Sequence, residues 1–76
     1  MIEVTIEQSL ENNDFVVTGI EVDFPYAPEQ DRVENIIEEK SFVGMSVPGY
    51  KDVKEYFSLQ FKIPVKFINL DVIKLV

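Results

Sequence analysis

Carboxylates are the side chains in this sequence with the number and spacing to do chemistry: 14 Asp and Glu stand against 7 Lys and Arg, with no His and no Cys. Carboxylates can hold a hard cation or meet the lysines and arginines of another molecule. Without His the usual acid-base group near neutrality is missing and Ser-His triads cannot be built. Without Cys there is no thiolate nucleophile, disulfide or thiolate-bound metal. Ser9, Ser41, Ser46 and Ser58 sit in no nucleophile motif, and Gly19, Gly44 and Gly49 are too scattered for a phosphate-cradling loop. No catalytic residue, metal site or cofactor is expected, and the chain reads as non-enzymatic.

The acidity is unevenly placed. Residues 1–39 hold eleven acids and only Arg32 (net −10), whereas residues 40–76 hold three acids and six Lys (net +3). Seven acids fall between Ile20 and Lys40: Glu21, Asp23, Glu29, Asp31, Glu34, Glu38 and Glu39. That half repels phosphates, so nucleic acid is not expected as a direct ligand, and a protein partner with a basic surface is.

The elements that must position these groups follow from pattern. A chain of 76 residues suffices for one domain, 1–76, and 46% hydrophobic content is too apolar for disorder. Eleven Val, eight Ile and two Thr against a single Ala favour strands. Ile2, Val4, Ile6 and Leu10 share one parity and Glu3, Thr5, Glu7 and Ser9 the other, which predicts a half-buried strand. Val16, Ile20, Val22 and Phe24 predict its hairpin partner beyond a turn at Asn12–Asp14. The register that sets apolar against apolar pairs Ile6 with Ile20, Val4 with Val22 and Ile2 with Phe24.

Pro25 and Pro28 end the second strand, and Val33, Ile36 and Ile37 in PEQDRVENIIEEK predict one amphipathic helix closed by Lys40. Val43, Met45 and Val47 predict a short strand over 42–47, ended by Pro48-Gly49. Asp52 and Glu55 form a helix capping box, with Val53, Tyr56 and Phe57 at helical spacing. Against it, Phe57, Leu59, Phe61, Ile63, Val65 and Phe67 alternate with Ser58, Gln60, Lys62, Pro64 and Lys66, which predicts a strand from Tyr56 to Phe67. Leu70 to Val76, apolar on both parities, predicts a last strand at the sheet centre or an interface with another chain. The expected fold is α+β: a small, mostly antiparallel sheet of about five strands with one amphipathic helix on one face. Its order, β-β-α-β-β-β, is compatible with a β-grasp. No apolar run reaches the ~20 residues of a membrane-spanning helix, and MIEVTIEQS lacks signal-peptide character, so a cytoplasmic protein with no membrane attachment is expected.

These elements gather the carboxylates into two groups. The hairpin register sets Glu3 across from Asp23 and Thr5 across from Glu21, with Glu7 nearby. The resulting acidic sheet patch of Glu3, Glu7, Glu21 and Asp23 admits three readings: neutralisation by Lys62 and Lys66 if the 56–67 strand joins the sheet, a partner surface, or a cation site. On the helix, Asp31, Glu34 and Glu38 share an exposed flank with no Lys positioned to answer them, and Glu34 and Glu38 repel at i, i+4. Glu29, Asp31, Glu34 and Glu38, with Tyr26 beside them, are the candidate partner-binding residues; Tyr50 is a second turn aromatic. The expected function is a small acidic protein-binding module. As an inhibitor or regulator it would engage a basic, nucleic-acid-binding-type surface by imitating a phosphate backbone. The alternative is a self-associating assembly component, a homo-oligomer joined by its apolar C-terminal strand and by complementary acidic and basic halves.

Overall fold

The computed structural model describes residues 1–9, 14–47 and 52–74; Leu10, Asn12, Asn13, Pro48, Gly49, Tyr50, Leu75 and Val76, which figure in the expectations above, lie outside them. β1 (Ile2–Gln8) buries Ile2, Val4 and Ile6 completely and turns Glu3, Thr5 and Glu7 to the other face. β2 (Phe15–Val22) pairs with it antiparallel, in a register that differs from the expected one. Ile2 faces Val22, Glu3 faces Glu21 and Val4 faces Ile20; between Thr5 and Ile6 the ladder shifts, so that Ile6 faces Val17 and Gln8 faces Phe15.

The cause is written in the spacing of β2. Phe15 and Val17 fall on one parity, Ile20 and Val22 on the other. Only an inserted residue turns both pairs toward the core, and Thr18 is that residue, a β-bulge that donates its hydroxyl to the Thr5 carbonyl at 3.4 Å. Phe15 and Val17 are buried, and Ile20 and Val22 pack against the core half-buried.

α1 (Ala27–Lys40) is the predicted helix. Pro28 sits in its first turn, where a missing N–H costs nothing, and Ser41 ends it in the left-handed conformation. Val33 is buried, with Ile36 and Ile37 beside it against the core. The strand predicted over 42–47 is reduced to β3 (Ser46–Val47), paired with Phe15 and Val16. Before it, Gly44 takes φ +95°, a conformation that favours glycine, and donates to the Val17 carbonyl at 2.7 Å. The turn leaves Phe42 buried and Val43 exposed, which breaks the expected alternation.

Residues predicted as a strand from Tyr56 to Phe67 instead form α2 (Val53–Phe61), followed by a 3-10 turn at Val65–Phe67. Val53, Phe57 and Phe61 recur every four residues, so the same residues satisfy a period of two and one helical stripe. Leu59 discriminates the two: a strand would put it on the face of Phe57, and it is 77% exposed while Phe57 is 0% exposed. Lys62 adopts the left-handed conformation, Ile63 donates back to the Ser58 carbonyl at 3.2 Å, and Pro64 prevents continuation.

β4 (Ile68–Ile73) pairs parallel with β1, and the sheet order is β3-β2-β1-β4. The C-terminal strand is thus at a sheet edge, not at its centre. The chain is α+β, as expected, but the described residues form four strands and two helices in the order β-β-α-β-α-β, and not the expected five-strand, one-helix, β-grasp-compatible order. Both helices lie over one face, where Val33, Val53, Phe57 and Phe61 meet Ile2, Val4, Ile6, Val17 and Ile68. Phe42 packs edge-on against Phe57 and Phe61, with ring centroids 5.2 and 5.6 Å away. No helix among the described residues is long and apolar enough to cross a membrane.

Candidate functional site

The sheet face away from the helices carries the first acidic group. Glu3 and Glu21 are directly opposed, a pairing that costs a few tenths to about 1 kcal/mol in an antiparallel ladder. Asp23 and Asn69 join them around a shallow depression that also includes Met1. Parallel pairing adds Asp71 to this face beside Thr5, a neighbour that no local pattern announces. Glu7 lies apart, four residues or about 13 Å along β1, in a row with Val16 and Ile73. Of the four residues of the expected patch, the structure brings Glu3, Glu21 and Asp23 together and separates Glu7, while Asp71 joins the same face.

Lys62 and Lys66 do not answer it. With residues 53–61 helical, Lys62 sits at the C-terminus of α2 and Lys66 lies 5.3 Å over the Phe67 ring; between described residues the only ion pair is Glu29–Arg32. Among the described residues no group of three acids converges as a metal site would require.

The helix group divides in two. At 100° per residue, Glu29 lies about 160° around α1 from Asp31, on the flank that meets α2. There Arg32 donates one nitrogen to the Glu29 carboxylate and another to the Phe61 carbonyl at 2.6 Å, at the negative end of α2. The bond from Arg32, reinforced by its charge, lowers the pKa of Glu29 below the usual carboxylate range. The one base of the N-terminal half is thereby engaged in holding two helices together. Asp31, Glu34 and Glu38 remain together on the opposite flank, all exposed, with no cation among the described residues paired to them. Tyr26, at the N-terminus of the helix, is 67% exposed.

Glu34 and Glu38 form one wall of an open groove whose remaining lining is Ile20, Val22 and Ile37. Its floor is apolar and half-buried, and its wall is anionic. Gln30 closes one end of it. Its amide nitrogen donates to the Val22 carbonyl at 2.9 Å and to Glu34 at 2.7 Å, and its carbonyl oxygen accepts from the Phe24 N–H at 2.8 Å. Sequence reasoning finds Glu34 and Glu38 but misses Gln30 and the floor, because Ile20 and Ile37 meet only through the packing of α1 against β2. The uneven spacing of apolar residues in FVVTGIEV was the available signal, since it implies the bulge that aims Ile20 and Val22 toward the helix side.

Compared with protein-family models, with curated proteins and with solved structures, the chain matches none.

Proposed function

We propose that this chain is a non-enzymatic protein-binding module that docks a basic surface of a partner protein on the flank of α1 carrying Asp31, Glu34 and Glu38, with Tyr26 at its end. The observation that carries this reading is that these three carboxylates are exposed with no cation paired to them among the described residues, while Arg32 is engaged by Glu29 and α2. A helical stripe of like charges lowers fold stability and raises the encounter rate with an oppositely charged surface. Imitation of a phosphate backbone, and with it an inhibitory or regulatory role at a nucleic-acid-binding cleft, is the concrete form of the proposal. Glu29 is assigned to helix-helix attachment and leaves the docking set. The sheet face with Glu3, Glu21, Asp23 and Asp71 extends the negative field on the other side of β2.

The test is capture of partners from the cells that make the protein, with the wild type and with Glu34→Lys/Glu38→Lys as baits. A partner held by the wild type, released by salt and lost from the variant supports the reading. A partner retained equally by both baits overturns it.

Self-association is the second reading, favoured by one observation: β4 lies at the sheet edge with Ile73 41% exposed. An unprotected edge strand is a template for a second copy. Sedimentation at micromolar concentration distinguishes the two, since a mass of 8.8 kDa throughout eliminates the homo-oligomer.

A further inference from the structure

The groove beside Glu34 and Glu38 is bounded by a segment of β2 whose outer backbone edge is open. Met1 and Asp23 exchange hydrogen bonds across the β1–β2 ladder. In an antiparallel pair bonded and non-bonded positions alternate, so Ile2/Val22 and Val4/Ile20 are non-bonded positions. The N–H and C=O groups of Ile20 and Val22 therefore point away from β1, toward the outer edge. There β3 and the turn before it engage β2 only up to Val17. At the other end the Gln30 side chain takes the Val22 carbonyl and the Phe24 N–H, standing in for a residue of an adjacent strand. Between the two, the Ile20 N–H, the Ile20 carbonyl and the Val22 N–H have no partner among the described residues.

We infer that this gap accepts an extended, lysine- or arginine-rich segment of the partner protein as an added strand. Three features specify the guest. The free donor-acceptor-donor run along β2 matches the backbone of one strand. The floor of Ile20, Val22 and Ile37 suits the aliphatic stem of a Lys or Arg. The carboxylates of Glu34 and Glu38 stand over that floor, where the charged head of such a side chain arrives. Alternate side chains of the guest emerge on the opposite sheet face, beside the exposed Glu21. Both faces of the added strand thus favour basic residues, and an acidic segment is repelled on both. The inference rests on the proposed docking of a basic partner, and adds that backbone pairing supplies the geometry.

A synthetic eight-residue peptide of alternating Lys and Val is the probe, with amide hydrogen exchange followed by NMR. Saturating peptide is expected to slow exchange at Ile20 and Val22 at least about tenfold. N-methylation of alternate peptide amides is expected to weaken binding about tenfold, the equivalent of about 1.4 kcal/mol. Glu34→Lys/Glu38→Lys, two exposed substitutions that leave the core untouched, is expected to weaken it by as much. Binding that leaves the Ile20 and Val22 amides exchanging as in the free protein, or that tolerates N-methylation in both alternate registers, overturns strand addition and leaves charge docking on α1 standing. Equal binding of a Glu-Val peptide overturns the charge argument itself. No binding of the Lys-Val peptide at millimolar concentration overturns the inference.

Discussion

Glu38→Lys should make the protein more stable and a poorer binder. Glu38 lies in the last turn of α1, one helical turn beyond Glu34, and both are exposed. The substitution removes a like-charge i, i+4 pair and creates one with Glu on the N-terminal side of Lys, the favourable order; each change is worth about 0.2–0.5 kcal/mol. It also replaces an anion by a cation at the negative end of the helix, worth roughly 0.3–1 kcal/mol at low salt. The hydrogen bond from Gln30 to Glu34 is left in place. The sum is about 1 kcal/mol, which for a domain of this size raises Tm by about 4–8 °C. Thermal unfolding followed by circular dichroism at low ionic strength measures it, and the gain should shrink at about 1 M salt, where the screening length is about 3 Å. A Tm that fails to rise, or that rises equally at both salt concentrations, would refute the electrostatic reasoning. If the variant is more stable and also binds the basic probe less tightly, the loss cannot be ascribed to unfolding, and the carboxylate is there for recognition at the expense of stability.

Two further outcomes follow from the packing. Phe57→Leu should cost about 1–2 kcal/mol in urea unfolding, because Phe57 is fully buried between Phe42 and Phe61, whereas Leu59→Lys should stay within about 0.5 kcal/mol; comparable costs would mean that 53–61 is not the helix described. Arg32→Ala should return the Glu29 pKa upward to the ordinary carboxylate range in an NMR titration. Because the folded-state pKa of Glu29 is lowered, its contribution to stability is present above the unfolded value and is lost as pH falls through the folded one. The stability difference between wild type and Arg32→Ala should therefore narrow in acid without vanishing, since the bond from Arg32 to the Phe61 carbonyl does not titrate. A difference independent of pH would show that Glu29 and Arg32 are not coupled.

Where a single period dominates, the sequence is a sufficient guide. The alternation of Ile2, Val4 and Ile6 and the helical stripe of Val33, Ile36 and Ile37 appear in the structure as read. Where two periods coincide it is not: Val53, Phe57 and Phe61 lie four apart and serve a strand and a helix equally, and only the exposure of Leu59 decides for the helix. The hairpin parity is legible at the N-terminal end of β1, but the register is not: Glu3 faces Glu21 and not Asp23, Thr5 faces Gly19 and not Glu21, a displacement of two residues that preserves parity, and the bulge at Thr18 shifts the remaining pairs by one more. Strand order was illegible in principle, since nothing local to Leu70–Val72 says that β4 lies beside β1 at an edge. The carboxylates of α1 could be named from spacing alone. That Glu29 turns toward Arg32 and α2, and that Glu34 and Glu38 overlook an apolar floor beside an open strand edge, depend on contacts between residues far apart in sequence.

The most direct test is the affinity of the captured partner, titrated calorimetrically against wild type and Glu34→Lys/Glu38→Lys across a series of salt concentrations. The predicted result is a Kd that rises steadily with salt for the wild type, rises at least about tenfold in the variant, and loses most of its salt dependence there. A Kd that neither salt nor the double charge reversal moves would contradict docking through the α1 carboxylates.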